Sequence, residues 1–170
     1  GYKNDSVWIR KNIDIFLSYN LKDAIIHPDL FGNRTPLIYI INKYLNPFFG
    51  EFEKYRTSVF FFSLLGPIFL FKILKIKFSE VDNKILFFVS SFVYLSPYYR
   101  TSAYWGLNEN YGIISGIISL YLIETFIRSE KKNILKLILV LFFSSITVYF
   151  DLKLLIIPLY CFYKIIKLDI

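Results

Sequence analysis

The pattern of apolar and polar positions divides the chain in two. Residues 1–55 mix both kinds, whereas residues 56–170 are a succession of Ile, Leu, Val and Phe runs separated by short polar breaks. Five runs stand out, at 57–71 (TSVFFFSLLGPIFLF), 85–97 (ILFFVSSFVYLSP), 111–127, 134–150 and 152–166. A helix crossing a hydrocarbon core needs about 20 residues, with about 17 as the lower limit. Several runs are short on that count, the second most of all, and borrow length from Tyr and Lys at their ends, whose stems lie in the interface. The pattern predicts an all-α fold: a polytopic transmembrane helical bundle preceded by a more polar N-terminal loop.

That loop has its own periodicity. In Val7–Ala24, apolar Val7, Ile13, Phe16, Leu17 and Leu21 recur at three- and four-residue steps among Arg, Lys and Asp, as an amphipathic helix requires. HPDLFGNRTP (27–36) is punctuated by Pro, Gly and Asn and reads as a loop. Pro36 opens a second apolar stretch, LIYIINKYLNPFF (37–49), which is too short to span and suits a helix in or against the interface.

Composition agrees with a membrane class. Hydrophobic residues make up 55% and aromatics 21% of the chain, and the mean hydropathy is +0.48. The net charge of +7 would suit nucleic acid in another chain, but here the basic residues flank apolar runs. That is a topology signal. The connection at 72–84 carries Lys72, Lys75, Lys77 and Lys84, the one at 128–136 carries Arg128, Lys131, Lys132 and Lys136, and the tail carries Lys164 and Lys167. By contrast 96–110 holds only Arg100, and the turn at 150–153 only Lys153. Basic and nearly neutral connections alternate, which fits five crossings and places 1–55, 96–110 and the 150–153 turn on the extracytoplasmic side. The chain has no Met and begins with Gly, and we read it as a piece of a larger protein. Its richness in Ile, Lys, Asn, Phe and Tyr hints at an AT-rich genome and a bacterial inner membrane.

Candidate chemistry lies in the outer loops. Asp5, Arg34, Arg100, Glu109, Asp151 and Lys153 share one side of the predicted membrane, and ionisable groups retained at membrane depth face a cavity or a partner. Arg100 suits bidentate contact with a phosphate, or with lipid headgroups as an interfacial anchor. Glu109 suits a pairing with Arg100, a sugar hydroxyl, or a plain loop charge. Asp151 reads either as a cap at its turn or as a cavity residue. Tyr98, Tyr99, Tyr104, Trp105 and Tyr111 read as an aromatic belt, with a carbohydrate platform as the sharper alternative. The lone Cys161 excludes an internal disulfide, His27 reads as a loop residue, and no metal-ligand, Walker or GxGxxG pattern is present. Gly66-Pro67 and Pro158 read as kinks, and Glu124 sits near a basic end.

The arrangement resembles the GT-C integral membrane glycosyltransferases, among them the protein O-mannosyltransferases and the lipid A aminoarabinose transferases. Asp5 in GYKNDSVW stands where the family's first outer loop opens with an acidic residue, with Ser6 where a second carboxylate is frequent. NRTPLIYI (33–40) is similar to the family's Pro-Pro-Leu-Tyr loop motif with Thr35 in place of one Pro, and SPYYRTSAYWGLNEN (96–110) is similar to the later outer loop whose Arg meets a lipid phosphate. The resemblance implies sugar transfer from a polyprenyl-phosphate donor to an acceptor at the outer face, with the bilayer and the lipid-linked sugar as partners and no nucleic acid. It implies Asp5 as general base and Arg100, with Lys153, against the leaving phosphate; Arg34 and Glu109 complete the substrate-binding set. Asp5-Ser6 ahead of an amphipathic helix is equally an N-cap signal. A polytopic transporter or channel, a lipid-linked oligosaccharide ligase, and a non-catalytic assembly subunit are the alternatives. Transporters concentrate polar groups near the midplane, which these runs do not.

Overall fold

The computed structural model describes residues 2–30 and 35–167, with side chains from Val7 onward. All regular structure among them is helical: α1 (Tyr2–Ser18), α2 (Leu21–Ile25), α3 (Leu37–Leu45), α4 (Phe52–Ser63), α5 (Leu65–Lys77), α6 (Asn83–Ser91), α7 (Pro97–Trp105), α8 (Asn108–Arg128), α9 (Ile134–Phe150) and α10 (Ile156–Ile166). Single 3-10 turns follow α6 and α9. Two helices are long and apolar enough to cross a membrane, the 26-residue Phe52–Lys77 formed by α4 and α5, and the 21-residue α8; the segments 83–95 and 134–150 are apolar but shorter.

The N-terminal layer differs in detail from its periodicity. Asn20 caps α2 by accepting the Asp23 N–H, so the predicted single helix is two. The buried face of α1 is Ile9, Asn12, Ile13 and Phe16, an i, i+3, i+4, i+7 set, whereas Val7 and Leu17 are exposed. α1 begins at Tyr2, which puts Asp5 inside the helix rather than ahead of it. Phe16 stacks on Tyr39 of α3, Asn12 donates to the Tyr39 hydroxyl at 3.0 Å, and Lys43 donates to the Phe16 and Tyr19 carbonyls. α3 is fastened in turn to α8, where Asn42 and Tyr111 exchange hydrogen bonds of 2.9 and 3.1 Å.

α8 is the central helix, packed on α5, α9 and α10. It meets α9 through Gly112 and Gly116: a Cβ on Gly112 would lie 3.3 Å from both the Thr147 carbonyl and the Phe150 Cβ, and one on Gly116 would lie 3.2 Å from Thr147 Cγ2. This small-xxx-small spacing lets two helices approach where side chains would hold them apart. The two run antiparallel: Phe150 sits beside Gly112, while Val140 clusters with Ile123 and Phe126. One end of the bundle therefore gathers the connections at 96–107 and 151–155. Near the other end, buried Glu124 of α8 meets Lys77 of α5 at 3.0 Å and Tyr160 of α10 at 2.9 Å.

The break between α4 and α5 has a defined cause. Pro67 has no N–H, so the Ser63 carbonyl four residues earlier loses its helical donor. The Tyr99 hydroxyl of α7 donates to that carbonyl instead. Gly66 makes the approach possible, since a Cβ there would lie 2.0 Å from the Tyr99 oxygen. Tyr99 is buried at 1% exposure, and burial pushes its hydroxyl well above the ordinary tyrosine value, so it stays a donor. Much of the exterior is apolar. Only 22% of the apolar window of Phe52–Lys77 is buried, against 56% for α8. Phe87, Phe88, Ile134, Ile156 and Phe162 are exposed as well.

Tyr99→Phe leaves the buried Ser63 carbonyl without a partner, and the expected loss is about 1–3 kcal/mol of stability. Gly66→Ala drives a methyl into the same hydroxyl and should cost a similar amount. Because both changes act on one contact, thermal unfolding of the double variant should show clearly less than the sum.

Candidate functional site

The end of the bundle that carries α7 and the turn after α9 holds most of the described candidate residues. α7 starts at Pro97, with the Ser96 hydroxyl accepting the Tyr99 N–H, and stops at Gly106, whose φ of 67° is left-handed. The Tyr55 hydroxyl donates to the Gly106 carbonyl at 3.0 Å, and a Cβ on Gly106 would lie 2.8 Å from the Tyr55 ring. The chain therefore turns within two residues from α7 into α8. That tight turn sets Asn108, Glu109 and Asn110 on the first turn of the central helix.

Asp151 joins this end to α9. Its Oδ1 accepts the Lys153 N–H at 3.0 Å, which caps the 3-10 turn, and its Oδ2 accepts the Tyr98 hydroxyl. The Lys153 ammonium stands 5.4 Å from the centre of the Tyr98 ring. Tyr98, Asp151 and Lys153 thus form one cluster, in which Asp151 is buried and Lys153 exposed. Asp151 caps its turn, one of the two sequence readings, and it is buried with its second oxygen against α7. Arg100 lies two residues beyond Tyr98 in α7 and is exposed. It forms no ion pair with Glu109 or any other described residue.

The start of α8 is unusual. Asn108 donates to the Thr35 hydroxyl at 3.3 Å, but both amide atoms of Asn110 and the Oε2 of Glu109 are buried with no hydrogen-bond partner among the described residues. Asn110 is fully buried, at 0% exposure. A buried polar group without a partner costs about 1–3 kcal/mol, and native proteins carry few of them. Of the remaining candidates, Arg34 lies outside the described residues. Asp5 is placed by its backbone in α1, and its side chain lies outside them too. Among the described residues no group of three or more His, Cys, Asp and Glu stands together as a metal-ligand set. His27 is occupied locally, accepting the Asp29 N–H at 3.1 Å and packing on Tyr19.

Sequence reasoning missed a second polar feature. Arg56 of α4 lies 4.4 and 4.6 Å from the Tyr104 and Trp105 ring centres, with Phe52 on a further side at 5.7 Å. It donates to both Glu53 oxygens and to the Tyr104 carbonyl. Glu53 and Phe52 are local, but the two nearer rings, Tyr104 and Trp105, come from the distant helix α7, with Tyr104 48 residues away, so no short sequence window contains the motif.

No known family model, curated protein or solved structure matches the chain. The geometry above is the ground for any functional reading.

Asn110→Leu replaces an unsatisfied amide with an apolar group of similar size and should raise stability by about 1–2 kcal/mol, read by thermal unfolding. A destabilised variant would show that Asn110 holds a partner of its own in solution.

Proposed function

We propose that this chain is a polytopic membrane bundle and part of a glycosyltransferase that moves a sugar from a polyprenyl-phosphate donor to an acceptor at the extracytoplasmic face of a bacterial inner membrane. The observation that carries the reading is the set of buried, unpartnered groups on Glu109 and Asn110, at the same end of the bundle as the Tyr98–Asp151–Lys153 cluster. A sugar ring supplies hydroxyls that both donate and accept, which is what a carboxylate oxygen and an amide lack there. The wide apolar exterior supports the membrane part, because soluble monomers rarely expose apolar patches of such extent. So does the sorting of ends. The nearly neutral connections at 96–107 and 151–155 gather at one end of α8, and the lysine-rich ones belong to the other.

In the proposed reaction Asp5 accepts the proton of the acceptor nucleophile as that atom attacks the anomeric carbon. The bond between that carbon and the donor phosphate oxygen breaks, and the polyprenyl phosphate leaves with the electron pair. Exposed Arg100, without a carboxylate partner among the described residues, meets the growing phosphate charge together with Lys153 and Arg34. Glu109 accepts from a hydroxyl of the transferred sugar.

Transfer from radiolabelled polyprenyl-phosphate sugars in membranes tests the roles. Asp5→Asn should lower turnover by about 100-fold or more while leaving donor binding intact, the usual size of a lost general base. Arg100→Ala should weaken donor binding and turnover together. Unchanged transfer in Asp5→Asn overturns the base, and unchanged donor binding in Arg100→Ala overturns the clamp.

The topology has its own test. Single cysteines in place of Leu152 and Lys131, both exposed, in a Cys161→Ser background should label from opposite sides of sealed vesicles. Labelling from one side overturns the five-span arrangement.

A further inference from the structure

α3, α4, α8 and α9 enclose a cleft of about 570 Å³ whose walls include Leu45, Val59, Phe62, Phe142 and Ile146. That volume lies within the ~300–1,000 Å³ range of ligand pockets. Four of its five polar side chains, all but Ser115, have partners among the described residues. Asn46 donates to the Asn42 and Ser58 side chains at 2.9 and 2.7 Å, Asn42 and Tyr111 bond each other, and Ser58 donates to the Tyr55 carbonyl. The occupant therefore finds at most the Ser115 hydroxyl to bond inside, and a non-helical peptide would leave its own backbone groups unsatisfied there. A hydrocarbon chain fits these terms.

The cleft does not end at its apolar walls. Phe48 and Ser58 also line a neighbouring cavity of about 320 Å³, which in turn shares Glu53 and Thr57 with a third of about 330 Å³. Their α4 walls pass from Ser58, Val59 and Phe62 in the cleft, through Lys54, Thr57 and Phe61, to Glu53, Arg56 and Phe60 in the third, from apolar to charged. At the charged end both signs alternate: Glu51 pairs with Lys54 at 2.6 Å and Glu53 with Arg56 at 3.0 Å. Glu53 is 78% exposed and Lys54 58%, while Arg56 is withdrawn to 12% among its rings. The exposed charged groups that line the cavities are thus one carboxylate, Glu53, and one ammonium, Lys54. A head carrying phosphate alone would meet the Glu53 carboxylate beside Lys54, whereas a zwitterionic head sets its ammonium against Glu53 and its phosphate against Lys54.

We propose that these adjoining cavities are a binding site for a zwitterionic phospholipid of the surrounding bilayer, with one acyl chain in the α3–α4–α8–α9 cleft and the headgroup at Glu53 and Lys54. The site rests on the membrane reading of the chain and shares no lining residue with the Tyr98–Asp151–Lys153 cluster assigned to the donor phosphate. The bound lipid fills the space between interfacial helix α3 and the bundle and so holds the N-terminal layer that carries Asp5.

Native mass spectrometry of the protein extracted in mild detergent from membranes containing phosphatidylethanolamine and phosphatidylglycerol tests this. The wild type should retain one phosphatidylethanolamine per chain. Ile146→Trp fills the cleft and should lose it. Lys54→Glu, at an exposed position that leaves the fold intact, should cut phosphatidylethanolamine retention several-fold. Quenching of tryptophan fluorescence in Phe143→Trp by phospholipids brominated on the acyl chain gives an independent reading of the cleft. Lipid-free wild type, full retention by Ile146→Trp with native helicity, an unchanged preference in Lys54→Glu, or a retained phosphatidylglycerol or polyprenyl phosphate each overturns the site. Recovery of the wild type in the soluble fraction overturns the membrane reading itself, and membrane-bound protein without lipid overturns only this site.

Discussion

One missing hydrogen organises much of this structure. Pro67 cannot donate to the Ser63 carbonyl, and a buried carbonyl without a donor is costly in any apolar setting and most of all in a bilayer. The Tyr99 hydroxyl meets that need, and to reach it α7 must lie directly against the joint between α4 and α5. Gly66 clears the space. Once α7 is fixed there, its left-handed end at Gly106 starts α8 at a set position, and with it Asn108, Glu109 and Asn110. The polar end of the bundle is therefore positioned by a backbone defect elsewhere in the chain. The same logic explains why α7 is short and capped at both ends: it is a strut between two satisfied backbone groups, Ser63 at one side and the Gly106 carbonyl held by Tyr55 at the other.

The fold was legible in the sequence where apolar runs are long and their periodicity is unopposed. The run at 134–150 coincides with α9, and the run at 111–127 lies within α8. All-helical architecture followed from the same runs. Other elements were blurred by competing local chemistry. Asn20 side-chain capping split one amphipathic helix into two, and its buried face runs through Ile9 and Asn12 rather than Val7 and Leu17 because Asn12 has a hydroxyl to bond in Tyr39. A polar residue at a core position is invisible to an apolar count. The run at 152–166 became a 3-10 turn and the shorter α10 because Asp151 caps at its own turn.

The candidate site was legible in kind and not in contact. The break at 96–110 was marked by its Arg, Glu, Asn and rings, and the structure brings one of those rings, Tyr98, to Asp151 and Lys153. Arg100 and Glu109 are near in sequence, yet they do not pair, because α7 and α8 are separated by a left-handed turn that redirects the chain. Charge patterns name the residues available to an end of a bundle. Only the caps and turns decide which of them meet. The cage around Arg56 makes the point from the other side, since its rings come from a helix that periodicity alone would leave as an aromatic belt.

The distribution of satisfied and unsatisfied groups separates two kinds of polar interior here. In the cleft beneath α3, Asn42, Asn46, Ser58 and Tyr111 answer one another, and such a network fixes packing without asking anything of a ligand. On the first turn of α8, Glu109 and Asn110 do the opposite, holding buried atoms that nothing among the described residues answers. Stability alone would favour apolar side chains at both positions. A chain that otherwise satisfies the carbonyl freed by its own proline with a tyrosine from another helix has the means to satisfy these atoms as well. These atoms lie instead at the end of the bundle where the Tyr98–Asp151–Lys153 cluster also collects.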